Sequence, residues 1–481
     1  MSNPFLEGGF APVRQEHTVT DLPGTGRIPA QLDGRYLRNG PNPVAEVDPE
    51  TYNWFTGDGM VHGVRIRDGR AEWYRNRWIR TPRVAAALGE AFRPGGSSAP
   101  LHGTGANTNV IGHAGRTLAL VEAGLAIQEL TDELDTVGFC DFDGTLPGGY
   151  TAHPKRDPET GELHAVSYFF GRGNEVRYSV IDRAGHARRT VDVRVTGSPM
   201  MHDFSLTESH VVFYDLPVTF DVRQAAEVSV PRFLRAPARL VMSALVGRVR
   251  VPDPIVAAAG GRSGAGHRMP YRWNPAYPAR VGVMPRSGNA GDVRWFEVEP
   301  CYVFHPLNAY DDGDTIVLEV VRHARVFDRD LRGPTEGAPV LARWTVDLTA
   351  GKVREEQVDD QAQEFPRIDE RLIGRRHRYG YALALSQGIT ASDTILKHDV
   401  TRGTTVRRSF GAGRQAGEFV FEPSSPGAAE DDGVLMGFVG DLAAGRTDLM
   451  LLDAGSLETV AAVHLPVRVP AGFHGNWVPA P

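Results

Sequence analysis

Sixteen histidines are scattered along the 481-residue chain, and four of them stand in local settings unlike the rest. They are His153 in Tyr150-Thr-Ala-His153-Pro, His202 in Met200-Met-His202-Asp-Phe, His305 in Tyr302-Val-Phe-His305-Pro-Leu-Asn, and His474 in Gly472-Phe-His474-Gly-Asn-Trp. Each is flanked by aromatic, proline or glycine residues at what reads as a strand end. There the backbone is tight and a side chain can project into a cavity. A lone histidine is more often a surface or hydrogen-bonded core residue, so the setting carries more weight than the residue type. Imidazole is a borderline donor that suits divalent transition metals. The four are separated by 49, 103 and 169 residues. No helix or hairpin gathers side chains so far apart, whereas the inner strands of a closed radial fold converge on one axis.

Rival chemistries find less support. Asp311-Asp-Gly-Asp314 is acidic but lacks the rest of a calcium loop and reads as a turn. Gly260-Gly-Arg-Ser-Gly-Ala-Gly266 is glycine-rich without a Walker lysine and reads as a loop. No G-x-S-x-G elbow occurs, which argues against an α/β-hydrolase. The two cysteines, Cys140 and Cys301, form no CxxC pair, so neither a disulfide framework nor a thiolate zinc site is supported.

The elements that must position the histidines are short apolar or alternating runs punctuated by Gly, Asp and Pro. Examples are Arg70–Trp78, Thr117–Val121, Leu163–Phe170 and His210–Asp215, followed by Asp314–Val321, Gly433–Val439, Asp448–Asp453 and Thr459–Leu465. These are strand signatures. Helical stretches are few, with residues 84–92 and 231–247 the best candidates. An all-β antiparallel fold follows, and strand content alone leaves open a sandwich pair, a barrel or a propeller. No linker divides the strands, so residues 1–481 read as a single domain.

One segment breaks the pattern. In residues 231–258, Phe233, Leu234, Leu240, Val241, Leu245 and Val246 alternate with Arg232, Arg235, Arg239, Arg248 and Arg250. Such an apolar patch with a basic collar can enter a bilayer surface; an amphipathic helix packed on the strand body is the plainer reading. Apolar residues make up 41% and charged residues 23%, which is a globular composition. The net charge of -7 gives no reason to expect a nucleic-acid partner. The N-terminus lacks a basic region followed by an apolar run, and no stretch has the roughly 18 consecutive apolar residues of a spanning helix. A cytoplasmic protein, peripheral to the membrane if the 231–258 patch is real, is therefore expected.

The chain resembles the carotenoid cleavage oxygenase family over essentially its whole length, and is most similar to its actinobacterial members. The motifs that carry the resemblance are Gly34-Arg-Tyr-Leu-Arg-Asn-Gly-Pro-Asn-Pro43, Trp54-Phe-Thr-Gly-Asp-Gly-Met-Val-His62, Ala106-Asn-Thr-Asn109, the four histidine segments, Glu364-Phe-Pro-Arg-Ile368 and Glu430-Asp-Asp-Gly433. The resemblance implies a seven-bladed β-propeller with a helical and loop dome over one face and iron(II) on the axis. His153, His202, His305 and His474 match the family's ligands. Glu122, Glu364 and Glu430 match its outer carboxylates, which would hold His202, His305 and His474 in that order and leave His153 without one. Thr108 matches a position beside the open iron site, although a strand threonine bonded to backbone accounts for it nearly as well. Phe55 and Phe304 are candidate cavity aromatics, able to stabilise cationic character on a polyene; packing alone explains them equally.

The implied activity is cleavage of a carotenoid or apocarotenoid double bond by O2 to two carbonyl products. A branch of the family acts on stilbenes or isoeugenol-type phenols and uses a lysine just before the first outer glutamate. Here that residue is Val121, and no tyrosine lies between Tyr74 and Tyr150 to bind a phenol. A non-catalytic propeller that binds lipophilic molecules and an isomerising, non-oxygenating member of the family are the further alternatives.

Overall fold

The computed structural model describes residues 2–95, 105–146, 148–229, 231–248, 269–386 and 392–480. Gly260–Gly266 and the last part of the 231–258 segment, from residue 249 on, lie outside them.

Seven antiparallel sheets are arranged as the blades of a propeller, which decides among the three all-β architectures open at the level of sequence. The innermost strands are, from blade 1 to blade 7, Gly475–Pro479, Asn109–His113, Lys155–Arg156, Phe204–Leu206, Tyr302–Asp312, Gln363–Arg367 and Val420–Pro423. They pack on one another around the axis. Gly475–Pro479 touches both Asn109–His113 and Val420–Pro423, and Tyr302–Asp312 touches Phe204–Leu206 and Gln363–Arg367.

Burial follows position within a blade. Inner and middle strands are covered on both faces by neighbouring blades, so Gly34–Pro41 and Leu163–Tyr168 are buried at every residue. Polar residues on them, such as Arg35, Arg38, Asn39 and His164, are therefore buried as well. Outer strands such as Thr404–Ser409 and Lys352–Gln357 expose at least every second side chain. The apolar core is a set of seams between blade faces. The largest joins blades 3, 4 and 5 through Tyr178, Phe213, Leu318 and Trp344. Another joins blades 7 and 1 through Tyr36, Tyr74, Met436 and Leu451. The axis itself is left to the ends of the inner strands.

Predicted strands Arg70–Trp78, His210–Asp215 and Thr459–Leu465 form over those spans. Leu163–Phe170 stops at Tyr168, where a short 3-10 turn over Phe170–Arg172 begins. Helix α1, Pro82–Leu88, starts earlier and ends earlier than the expected 84–92. Thr81 caps it by accepting from Val84 N, and Gly89 ends it at φ +71°. Between the second and third strands of blade 4 the chain leaves the sheet. Val218–Phe220 pairs with Tyr271–Trp273, and α2 (Val222–Ser229) and α3 (Arg235–Leu245) lie between them. Helix α2 had no separate sequence signal; the expected helix at 231–247 is a 3-10 turn at Arg232–Leu234 followed by α3.

Two ladders close the ring. Gly34–Arg38 pairs with Pro479–Gly475 in blade 1, and Gly24–Gly26 pairs with Val463–Ala461 in blade 7. Gly34 is required by space: a Cβ there would lie 2.5 Å from the Val478 carbonyl oxygen and 2.8 Å from Pro479 Cα. Gly34→Val should therefore destabilise the fold by about 1–3 kcal/mol, read as a lower melting temperature by circular dichroism. An unchanged melting temperature would show that the blade 1 ladder contributes little to closure.

Candidate metal centre

One residue at or near the start of each innermost strand belongs to the candidate set. In blade order these are His474, Thr108, His153, His202, His305, Glu364 and Glu418. Four blades thus contribute a histidine, two a glutamate and one a threonine. Backbone bonds tie adjacent members together: His474 N donates to the Thr108 carbonyl at 3.0 Å.

Local irregularity aims two of these side chains. Register shifts flank Pro306, directly after His305, and a further shift separates Glu364 from Arg367, across Pro366. Proline cannot donate to a ladder, and a bulge re-aims the side chain beside it. Phe365, between Glu364 and Pro366, is held at φ +55°, a region costly for a side chain of its size. Its ring packs on His305 at 5.6 Å and on His474 at 5.5 Å between centroids.

The four histidines converge. One ring nitrogen from each lies within 4.8 Å of the others, and all four residues are buried. His202 Nε2 and His305 Nε2 are 3.1 Å apart. Their other nitrogens face carboxylates: His202 Nδ1 is 2.8 Å from Glu122 Oε2, and His305 Nδ1 is 2.6 Å from Glu364 Oε2. His474 Nδ1 is 3.0 Å from Glu418 Oε1, whose second oxygen accepts from Gly475 N at 2.9 Å. The carboxylates bonded to His305 and His474 draw the single imidazole proton to Nδ1 and turn the Nε2 lone pair inward; Glu122 lies beside His202 Nδ1 without a hydrogen bond to it.

The expectation that Glu430 holds His474 is corrected here. Glu430 sits in the connection between Val420–Pro423 and Gly433–Asp441. There its carboxylate accepts from the backbone of Arg378 at 2.8 Å and of Tyr379 at 2.6 Å. Glu418, just before the same strand, takes the place at His474. Its sequence signal is the Glu-Phe pair it shares with Glu364: Glu364-Phe365 and Glu418-Phe419 both open an inner strand.

Among the described residues, His153 has no hydrogen-bonded carboxylate. The nearest, Asp203 Oδ2, is 3.9 Å from His153 Nδ1 and is engaged by Lys155 Nζ at 2.8 Å. His153 Nε2 is buried without a partner. Burial, and then His202, His474 and His305, push the His153 pKa well below the ordinary imidazole range, so its ring is neutral. Burial pushes the Glu364 carboxyl up, and its contacts with His305 and His323 more than reverse this, leaving it well below the usual carboxylate range. Glu418 is likewise lowered, with Arg367 and His474 outweighing burial.

This donor set fits a divalent transition metal. Two Nε2 lone pairs facing each other at 3.1 Å repel unless a cation lies between them. Donors at a right angle on bonds of about 2.1 Å would stand about 3.0 Å apart. Three carboxylates behind the imidazoles offset a 2+ charge.

Thr108 donates its hydroxyl hydrogen to Asn107 Oδ1 at 2.9 Å, and Asn107 Nδ2 donates to the carbonyls of Phe55 and Gly57. Phe55 stacks on Phe304 at 5.9 Å and on Phe473 at 5.4 Å. Phe304 stands perpendicular to His202 at 5.0 Å. Phe327, Phe365 and Phe473 extend this aromatic wall beyond the two phenylalanines expected from sequence. A cavity of about 570 Å³ with a mixed lining reaches His153 and His474, bounded by Asn109, Lys155 and Asn476 and by Ile111, Leu307 and Val478 among others; none of the five phenylalanines lines it. The acidic motif turns at Gly313-Asp314, and its Asp311 accepts from Thr207, Ser209 and His210 at the connection between two strands of blade 4.

The family described as retinal pigment epithelial membrane protein matches residues 10–479. The chain is 60% identical to a carotenoid cleavage oxygenase of Mycobacterium tuberculosis, over 99% of this chain and 98% of that protein. It is 32% identical to a carotenoid 9,10(9',10')-cleavage dioxygenase of Crocus sativus, covering 98% of this chain and 89% of that one. Among solved structures, the lignostilbene dioxygenase of Pseudomonas brassicacearum superposes with a TM-score of 0.83 at 27% identity, covering 99% of each chain.

Exchanging the two candidate glutamates for alanine separates their roles. Glu418→Ala should weaken metal binding by about 10–100-fold, whereas Glu430→Ala should leave it within about twofold of the parent. Competition with a chelator reads both. The reverse ranking would restore Glu430 to the centre.

Proposed function

The chain belongs to the carotenoid cleavage oxygenase family, and from that premise we propose that it is a non-haem iron(II) dioxygenase. Its substrate is a carotenoid or apocarotenoid, cleaved at one carbon–carbon double bond to two carbonyl products. The single observation that carries the metal assignment is the set of four buried imidazoles, three of them with Nδ1 against a carboxylate. His153, His202, His305 and His474 would hold the ion, and Glu122, Glu364 and Glu418 would fix three of the rings and offset its charge. Iron(II), when bound, supplies the one-electron chemistry that lets O2 react with a closed-shell alkene.

The chemistry balances without a further reductant: one C=C and one O2 become two C=O groups. The side chains therefore need no nucleophile and act by position. Phe55 and Phe304 offer ring faces to positive character developing on the polyene. Thr108, at the one inner-strand start with neither histidine nor glutamate, narrows the space beside the ion. The doubly closed ring supports reading residues 1–481 as one domain.

The dome region suits a lipophilic substrate. Phe233 and Leu240 are 79% and 76% exposed, with Leu234, Val241 and Leu245 also exposed, and Arg232, Arg239 and Arg248 lie among them. A short helix with this arrangement can rest in the headgroup region of an anionic bilayer, placing the protein at the cytoplasmic membrane surface. Among the described residues no helix is long and apolar enough to cross a membrane.

The fold likeness to a lignostilbene dioxygenase favours a second reading, cleavage of a phenolic stilbene. Val121 stands where that branch has lysine, and the stretch between Tyr74 and Tyr150 offers no phenol-binding tyrosine. Anaerobic iron loading followed by aerobic incubation with β-apo-8′-carotenal and resveratrol in parallel, with products identified by mass, decides between them. Cleavage of the carotenal alone is expected; cleavage of resveratrol alone would overturn the substrate. His202→Ala should lose both iron and activity, and a parent protein that retains no iron would leave a lipophile-binding propeller. In a separate test, Phe233→Glu with Leu240→Glu should reduce sedimentation with anionic vesicles severalfold; unchanged sedimentation would place membrane contact elsewhere.

A further inference from the structure

Behind Glu364 stands a fifth histidine. The strand that carries His305 pairs with Thr315–His323, and the register sets Tyr302 opposite His323. This hairpin brings His323 to the side of Glu364 remote from His305. Glu364 Oε2 lies 2.6 Å from His305 Nδ1 and also accepts from Phe365 N at 2.6 Å, while Oε1 lies 2.7 Å from His323 Nε2. Both Glu364 and His323 are almost wholly buried.

The tautomer follows from the surroundings. His323 Nε2 faces a carboxylate oxygen, so the ring proton sits there; His323 Nδ1 is buried with no partner. The ring is perpendicular to Phe304 at 5.1 Å, and Phe304 is perpendicular to His202 at 5.0 Å. His323 therefore touches two separate supports of the centre, the carboxylate behind His305 and the ring that faces His202.

A carboxylate held by one hydrogen bond rotates about its terminal torsion, which is broad and roughly two-fold. Donors on both oxygens remove that freedom. The other two carboxylates are secured by different means: Tyr168 donates to Glu122 Oε2 at 3.1 Å, and Gly475 N donates to Glu418 Oε2.

We propose that His323 is a positioning residue of the metal centre: its Nε2–H fixes the Glu364 carboxylate so that Oε2 stays on His305 Nδ1, and its ring props Phe304 against His202. The role rests on the metal-centre reading above. It predicts that the N–H at this one place, rather than polarity or bulk, governs how tightly the ion is held.

The test uses His323→Gln and His323→Asn. Both leave an amide in the pocket, but only the longer one reaches Glu364 with an N–H where Nε2 now lies. Cobalt(II) is the probe, since its visible bands report ligand geometry directly. His323→Gln should release cobalt to excess chelator within about threefold of the parent rate and keep its visible spectrum. His323→Asn should release it about 10–100-fold faster, with altered bands. Melting of the two metal-free variants should agree within a few degrees. Parent-like release and spectra in His323→Asn, or equal acceleration in both variants, would overturn the role of His323. A parent protein that takes up no cobalt would overturn the centre itself, and the role with it.

Discussion

Four imidazole lone pairs pointed at one another are unfavourable in a buried, low-dielectric place. The chain nonetheless enforces that arrangement. Carboxylates bonded to Nδ1 of His305 and His474 keep the protons on the outside, Glu122 lies beside Nδ1 of His202, and burial keeps His153 neutral. The aromatic wall, the bulges at Pro306 and Pro366 and the strained Phe365 all serve to hold this outline against its own repulsion. A divalent cation turns the repulsion into coordination, so the shape is paid for by the ion it admits.

A radial fold is the economical way to bring such residues together. Each blade supplies one inner-strand start, and the seven starts carry four histidines, two glutamates and one threonine. The remaining carboxylate, Glu122, comes from just past the second strand of blade 2, the blade whose inner strand begins at Thr108. Apolar seams between blade faces provide stability without occupying the axis. The centre then has two surroundings, a cavity of mixed lining that touches His153 and His474 and a phenylalanine wall that touches His202, His305 and His474.

Much of this was legible in the sequence, and the gaps have physical reasons. Strands bounded by turn residues, such as His210–Asp215 and Thr459–Leu465, could be read to the residue because a short apolar run and its punctuation agree there. Blade number could not, since strand content is common to several all-β architectures. The four histidines were marked by neighbouring proline, glycine and aromatics, the residues that make a strand start irregular. Glu418 was passed over for Glu430 because a cluster of acidic residues draws the eye more than one glutamate before a phenylalanine. His323 was invisible for a different reason. Its partner is a side chain 41 residues on in the next blade, and nothing in its own neighbourhood advertises that contact. Helix α2 lies in the blade 4 insertion, where short-range pattern gave no separate start or stop.

The strand that closes the ring bears on the order of events during synthesis. His474 follows His305 by 169 residues and immediately precedes Gly475–Pro479, the strand that pairs with Gly34–Arg38. A nascent chain emerging from the ribosome therefore displays three of the four histidines long before the fourth exists. Only when that last strand reaches back to the first blade are all four nitrogens present together. The complete set of four imidazoles is thereby tied to closure of the ring, since the same short stretch supplies the fourth histidine and the closing strand.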